Sequence, residues 1–116
     1  MFPVIFIIDN TPSISESLQK SLKRYTIIHA SGSNDTIEKL KRNPKPAIII
    51  INTMIKPEGG IQVYRMLLKK RKYKNIPFIF ISSKYNKDEK RKCLDQGAID
   101  CLFEPFDIQE LILKIK

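Results

Sequence analysis

The sequence is poor in the residues from which many small proteins build catalytic or metal sites. Its 116 residues include two cysteines, one histidine and four glycines. Cys93 and Cys101 are spaced for neither a disulfide framework nor a metal site, and a reducing compartment keeps them as thiols. His29 is a lone histidine at the end of a predicted strand, which is typical of an ordinary surface or edge residue, and Gly59-Gly60 lacks the spacing of a nucleotide-binding loop. We therefore predict that the protein is not an enzyme.

Long hydrophobic runs are also missing. The apolar start of the chain, Met1 to Ile8, has no basic leader and meets Asp9 too soon for a signal peptide or a membrane span. We expect a cytoplasmic protein without a membrane partner.

Acidic residues are fewer than basic ones, with 12 Asp and Glu against 21 Lys and Arg and a net charge of +9. The lysines occur in every predicted helix, which is typical of solvated helix faces. The basic clusters at 69–74 and 84–92 contain few aromatic residues that could stack on bases. A nucleic acid is therefore not the expected partner.

The chain contains five short apolar runs. The central one has four consecutive isoleucines, which are stiff β-branched residues, and it ends in the carboxamide of Asn52. Unbroken runs of this kind favour strands covered on both faces, as in a parallel sheet. The five predicted strands are Val4–Ile8, Tyr25–His29, Ala47–Asn52, Ile76–Ile81 and Asp100–Phe103.

Apolar stripes at helical spacing follow each predicted strand. The fourth helix, Asn86 to Gln96, is mostly charged, with Cys93 and Leu94 as its apolar anchors and Gly97 as its stop. Alternating strands and helices predict an α/β fold with a doubly wound five-stranded parallel sheet. We expect one domain over 1–116, and because the sequence stops inside the last helix, we expect it to be cut from a longer protein.

Four predicted strands end in polar residues, namely Asp9-Asn10, Asn52, Ser82-Ser83 and Glu104. In a parallel sheet these ends lie on one edge, so residues distant in sequence would meet in one crevice. The alternative, that these ends are polar because they emerge into water, stays open at this point.

The order of these residues resembles the receiver domains of two-component response regulators, the CheY-like family, over almost the whole chain. In that family an acidic pair follows the first strand, a phosphorylated aspartate ends the third, Ser or Thr ends the fourth and Lys-Pro ends the fifth. This sequence has Asp9-Asn10, then Asn52 with Gly60 eight residues later, Ile76-Pro77 before Ser82, and Gly97-Ala98 before Glu104-Pro105. The resemblance implies a flavodoxin-like sheet in the order 2-1-3-4-5.

The same resemblance implies that the family chemistry is altered. Asn52 stands at the phospho-acceptor position, and a carboxamide forms no acyl phosphate. Glu104 replaces the family lysine, and Cys101 replaces the aromatic switch residue. Only Asp9 remains of the carboxylates that hold Mg²⁺, so we expect no metal site and no cofactor.

We expect a permanent hydrogen-bond network among Asn52, Ser82, Asp9 and Glu104, with Asn10 in the same pocket. The Glu104-Pro105 peptide is expected to be cis, as the family Lys-Pro is.

The predicted function is a degenerate receiver domain that acts as a phosphorylation-independent interaction module. The expected partner is a protein or an effector domain bound through the fourth helix, fifth strand and fifth helix, a surface that would favour an acidic partner, and a homodimer is the other possibility. Two alternatives stay open: regulation by an anion, a metabolite or modification of Ser82, and a basic nucleic-acid adaptor.

Overall fold

Five strands alternate with five α-helices in the computed structural model, which describes residues 2–56, 59–83 and 85–115. The strands are β1 (Val4–Ile8), β2 (Thr26–Ala30), β3 (Ile48–Asn52), β4 (Phe78–Ser82) and β5 (Asp100–Phe103). The helices are α1 (Ser13–Ser21), α2 (Ser33–Arg42), α3 (Gly60–Leu68), α4 (Lys87–Asp95) and α5 (Ile108–Ile115), with a 3₁₀ turn at Arg71–Tyr73.

The strands form one parallel sheet in the order β2-β1-β3-β4-β5. The predicted α/β fold, with its sheet order and five helices, is confirmed. None of the described helices is long and apolar enough to cross a membrane.

The isoleucine strand β3 lies at the centre of the sheet and contributes to both hydrophobic layers. Ile49 and Ile51 pack on one face with Phe6 and Phe80. Ile48 and Ile50 pack on the other face, in the cluster that includes residues of α1 and α5. Because all four isoleucines are buried, each face of the strand stabilises a different set of helices.

Three predicted strands differ from the structure in their bounds. β2 covers Thr26–Ala30 instead of Tyr25–His29, β3 begins at Ile48 instead of Ala47, and β4 covers Phe78–Ser82 instead of Ile76–Ile81. Ile76 and Tyr73 are buried in the connection before β4, so the apolar pattern continues beyond the strand itself. Burial alone does not mark where the sheet hydrogen bonds begin.

Helix α4 is attached differently from the prediction. Cys93 is buried as expected, but Leu94 is 41% exposed and does not anchor the helix. Asn86 caps the start by accepting a hydrogen bond from the Glu89 N–H at 3.0 Å. Near the other end, the Tyr64 hydroxyl donates to the Gln96 carbonyl at 2.6 Å, and Gly97 follows with a φ of 94°.

Gly60 allows α3 to begin directly against the end of β3. A Cβ atom at this position would lie 2.5 Å from the Asn52 carbonyl oxygen and 2.8 Å from the Thr53 Cα. Both neighbours are backbone atoms, which cannot move aside as a flexible side chain would. The close approach places the first turn of α3 beside Asn52.

Gly60→Ala is expected to destabilise the fold by roughly 1–3 kcal/mol, because the added methyl group overpacks this contact. In an unconstrained helix the same change would stabilise, by about 1 kcal/mol. Urea unfolding measures the difference, with Gln62→Ala on the exposed face of α3 as the matched control. A Gly60→Ala protein as stable as wild type would contradict the close packing.

Candidate functional site

The polar residues predicted from the sequence lie at the carboxyl ends of the strands, along one edge of the sheet. Asp9 and Asn10 follow β1, Asn52 and Ser82 are the last residues of β3 and β4, and Glu104 follows β5. Because β1, β3 and β4 are neighbours, their ends are side by side. The helices that follow begin at this edge.

Asp9 and Asn52 are in direct contact. The Asn52 Nδ2 donates to Asp9 Oδ1 at 3.2 Å, while Asn52 Oδ1 accepts from the Met54 N–H at 2.8 Å. A backbone N–H can only donate, so this second bond determines the orientation of the carboxamide. The buried Asp9 carboxylate also accepts from the Thr11 N–H at 3.4 Å. Both bonds go to Oδ1, so two neutral N–H groups are the partners of this oxygen of the carboxylate.

Asn10 joins the loops on either side of β1 and does not contact Asn52. Its Nδ2 donates to the Ser31 carbonyl at 3.1 Å, and its Oδ1 accepts from the Lys56 N–H at 3.1 Å. Both groups of this carboxamide are thus occupied by the backbone, which connects the loop after β2 to the loop after β3.

Ser82 is bonded to α4. Its hydroxyl donates to Glu89 Oε1 at 3.1 Å and is almost fully buried, since Ser82 is only 1% exposed. Sequence reasoning missed Glu89. The Asn86 cap, three residues earlier, is the signal that could have identified it, because this cap determines which way the first turn of α4 faces.

Glu104 lies outside the Asn52 contacts. Its side chain is exposed, makes no hydrogen bond to a described residue and lines an open groove of about 530 Å³ with α1 and the start of α5. The Ser82 and Glu89 side chains border a different cleft, of about 340 Å³, beside Met54 and Tyr85. The Glu104-Pro105 peptide is cis, as expected.

The predicted four-residue network is therefore wrong in part. Asp9 and Asn52 are hydrogen-bonded, but Ser82 pairs with Glu89, and Glu104 faces another groove. The reason is competition: α4 supplies a carboxylate to Ser82, so its hydroxyl has a partner that strand order alone does not reveal.

The imidazole of His29 is hydrogen-bonded to the backbone of Asp9. Its Nε2 lies 2.8 Å from the Asp9 carbonyl oxygen, which can only accept, so Nε2 carries the proton. The Lys39 Nζ donates to the His29 carbonyl at 2.6 Å. The first bond connects β2 to the end of β1 and the second connects α2 to β2, and neither brings the imidazole to Ser82.

Comparisons with known proteins identify the family. The family model described as "Response regulator receiver domain" matches residues 5–116. The chain belongs to the response regulator receiver domain family. Its role is accordingly that of a receiver domain of a two-component response regulator, a class of signalling modules that interact with proteins such as kinases and effector domains.

Solved structures agree with this assignment at the level of the fold. A response regulator receiver protein from Pseudomonas putida is 20% identical with a TM-score of 0.87, and the match covers 99% of this chain and 96% of that chain. The chemotaxis response regulator CheY4 of Vibrio cholerae is 16% identical with a TM-score of 0.81, covering all of both chains. The non-phosphorylated HemR receiver domain from Leptospira biflexa is 21% identical with a TM-score of 0.82, covering 97% and 90%.

Two buried thiols contact each other between α4 and β5 of this receiver domain. Cys93 and Cys101 lie in the same hydrophobic cluster, and both are free. The hydrogen bond with Cys93 raises the pKa of the Cys101 thiol, and burial and the Glu89 and Asp100 carboxylates add to the rise. Cys101 therefore keeps its proton and packs as a small apolar side chain.

Replacing Asn52 with alanine is expected to cost about 1–3 kcal/mol of unfolding free energy. The change leaves the Met54 N–H without its acceptor and removes a donor from the buried Asp9 carboxylate. Urea unfolding followed by circular dichroism measures the loss, with Asn34→Ala on the exposed surface of α2 as control. Equal effects of the two changes would show that the Asn52 bonds do not stabilise the loop.

The two thiols are expected to resist an aromatic disulfide reagent in the native protein and to react fully in denaturant. Cys93 is 0% and Cys101 3% exposed, so the reagent reaches them only after α4 opens or the chain unfolds. Absorbance of the released thiolate follows the reaction. Rapid labelling of both residues without denaturant would contradict the packing of α4 on β5.

Proposed function

We propose that this receiver domain is degenerate and acts as a phosphorylation-independent protein-interaction module. The observation that carries the proposal is the state of Asn52 at the end of β3. Both halves of its carboxamide are bonded within the protein, to Asp9 and to the Met54 N–H. An amide in this position has no carboxylate oxygen with which to attack a phosphoryl donor.

The donor atoms around Asp9 support the loss of Mg²⁺ binding. Mg²⁺ prefers an octahedral set of oxygen ligands, usually including one or two carboxylates. Here Asn52 turns its nitrogen towards Asp9, and the Asn10 oxygen already accepts from the Lys56 N–H. Among the described residues, no group of three or more His, Cys, Asp or Glu is arranged to hold a metal ion. The residues present do not fit Mg²⁺.

The replaced lysine position adds to this argument. Glu104 brings a negative charge to the edge of the sheet where the family has a cation, and a carboxylate repels a phosphoryl group. Ser82 is engaged by Glu89 and buried, which weighs against its modification as an alternative input. At Asn52 and Ser82, hydrogen bonds within the protein therefore take the place of phosphoryl contacts, while Glu104 opposes such contacts by its charge.

The face formed by α4, β5 and α5 is the proposed protein-binding surface. β5 is an edge strand, and each flanking helix exposes a large apolar residue, Leu94 on α4 and Leu113 on α5. Tyr85, which is also exposed, packs edge-on against Phe103 of β5 with ring centroids 5.1 Å apart. Exposed aromatic and aliphatic side chains are typical of the centre of a protein interface.

The charge of the α4, β5 and α5 face is too evenly balanced to favour an acidic partner over a basic one. Helix α4 carries four basic residues and three acidic ones, and α5 adds Glu110 and Lys114. The balance is close to neutral, so an acidic partner is not specified here. We propose that the apolar residues of the face, and not its charge, supply most of the contact.

Incubating the protein with acetyl phosphate and Mg²⁺, followed by intact mass measurement, tests the proposal. We expect no phosphoryl adduct, because Asn52 offers no nucleophile. A receiver domain that carries an acceptor aspartate serves as positive control for the reagent. An adduct on the wild-type protein that disappears in Asn52→Ala would overturn the proposal.

The variant Asn52→Asp, compared with the wild-type protein, tests the proposed loss of Mg²⁺ binding. It places a second carboxylate beside Asp9, and Mg²⁺ is expected to relieve their repulsion and to raise the melting temperature of this variant alone. An equal Mg²⁺ effect on the wild-type protein would show that Asn52 does not abolish the site.

A further inference from the structure

The net positive charge is concentrated in the middle of the chain. Residues 39–87 contain thirteen lysine and arginine residues but a single acidic residue, Glu58. The remaining residues contain eight basic and eleven acidic residues, so they are slightly negative. Lysines alone are spread evenly over the helices. The difference between the two parts of the chain becomes visible only when the acidic residues are counted as well.

The fold brings much of this charge to the edge of the sheet opposite Asn52. Helices α2 and α3 end at the amino ends of β3 and β4, and the connections 43–47 and 69–77 lead into those strands. β3 and β4 are neighbours, and the Ile49 N–H donates to the Pro77 carbonyl at 3.0 Å. Lys41 and Lys70 line the same small groove. We name the lysine and arginine side chains of residues 41–45 and 69–74 the basic edge.

Every side chain of the basic edge is exposed, and little within it balances the charge. Glu38 is the nearest acidic residue along the chain, and its side chain pairs with Arg42 at 3.4 Å. Asp95 ends α4 and Asp100 begins β5, the strand next to β4, and Asp100 pairs with Lys114 at 3.1 Å. The basic edge therefore carries a large excess of positive charge.

Helix dipoles explain only part of this arrangement. Cations in the last turn of α2 complement the negative end of that helix, which accounts for Lys41 and Arg42. Lys45 and Lys74 lie in the connections beyond the helices, where no helix end requires a cation. The four consecutive basic residues 69–72 also exceed what one helix end needs.

The chemistry of the surface distinguishes among anionic partners. Protein interfaces have an apolar or aromatic centre, and membrane-surface sites insert apolar side chains. None of the large exposed hydrophobic residues comes from 39–47 or 65–77 of the described chain. Phe2, before β1, and Ile99, before β5, are the exposed apolar residues of the neighbouring connections. A phosphate backbone requires cations alone.

We propose that the basic edge binds the phosphate backbone of a nucleic acid, without reading its sequence. The binding surface lies opposite the edge that carries Asn52 and apart from the α4, β5 and α5 face. The inference is independent of the proposed loss of phosphorylation, and Asn52→Asp should bind the nucleic acid as the wild-type protein does.

Fluorescence anisotropy with labelled, mixed-sequence duplex DNA and RNA, across a salt series, tests the inference. We expect affinity to fall steeply with salt, with a slope of roughly −0.9 for each phosphate contacted on a DNA duplex. The combined change Lys70→Gln, Lys72→Gln and Lys74→Gln should reduce that slope by about three and weaken binding at low salt by at least about tenfold.

The matched control is Lys87→Gln, Arg91→Gln and Lys92→Gln on α4, which removes the same charge from an equally exposed surface. It should leave the slope nearly unchanged. Lys→Arg at 70, 72 and 74 should retain binding, which separates lost charge from damaged structure. Equal losses in the two glutamine variants, or tighter binding to phosphatidylserine vesicles or polyglutamate at matched ionic strength, would overturn the inference.

Discussion

The burial of β3 on both faces is the constraint on which the rest of this structure depends. Its four isoleucines belong alternately to two hydrophobic layers, so one strand organises the helices on both sides of the sheet. The strand ends at Asn52, and α3 begins only eight residues later at Gly60, where the backbones nearly touch. The position of Asn52 is thus determined by core packing, independently of any chemistry at the site.

Carboxamides at the carboxyl edge do structural work that carboxylates would do less well. Asn10 and Asn52 each donate and accept at once, and together they hold the loop after β3 against β1 and the loop after β2. A carboxylate only accepts, and a second one beside Asp9 would require a cation. In this receiver domain the two amides join the ends of β1, β2 and β3 through four hydrogen bonds.

Much of the fold follows from local sequence pattern. Apolar runs and helical stripes identify all ten elements, and the polar strand ends and the resemblance to receiver domains lead to the correct sheet order. The boundaries of β2 and β4 are less well predicted, because buried residues such as Ile76 continue the apolar pattern outside the strand. The 3₁₀ turn Arg71–Tyr73 lies in a basic run that gives no periodic signal.

The sequence by itself determined that five strands occur and roughly where, that the isoleucine strand is buried on both faces, and that a carboxamide ends it. These properties depend on side-chain type and spacing along a short stretch of chain. Only the tertiary structure decided that Asn52 bonds to Asp9, that Ser82 bonds to Glu89 instead, and that Lys41 of α2 and Lys70 beyond α3 line one groove. Such contacts depend on which groups from distant elements come nearest, and a local pattern does not contain that distance.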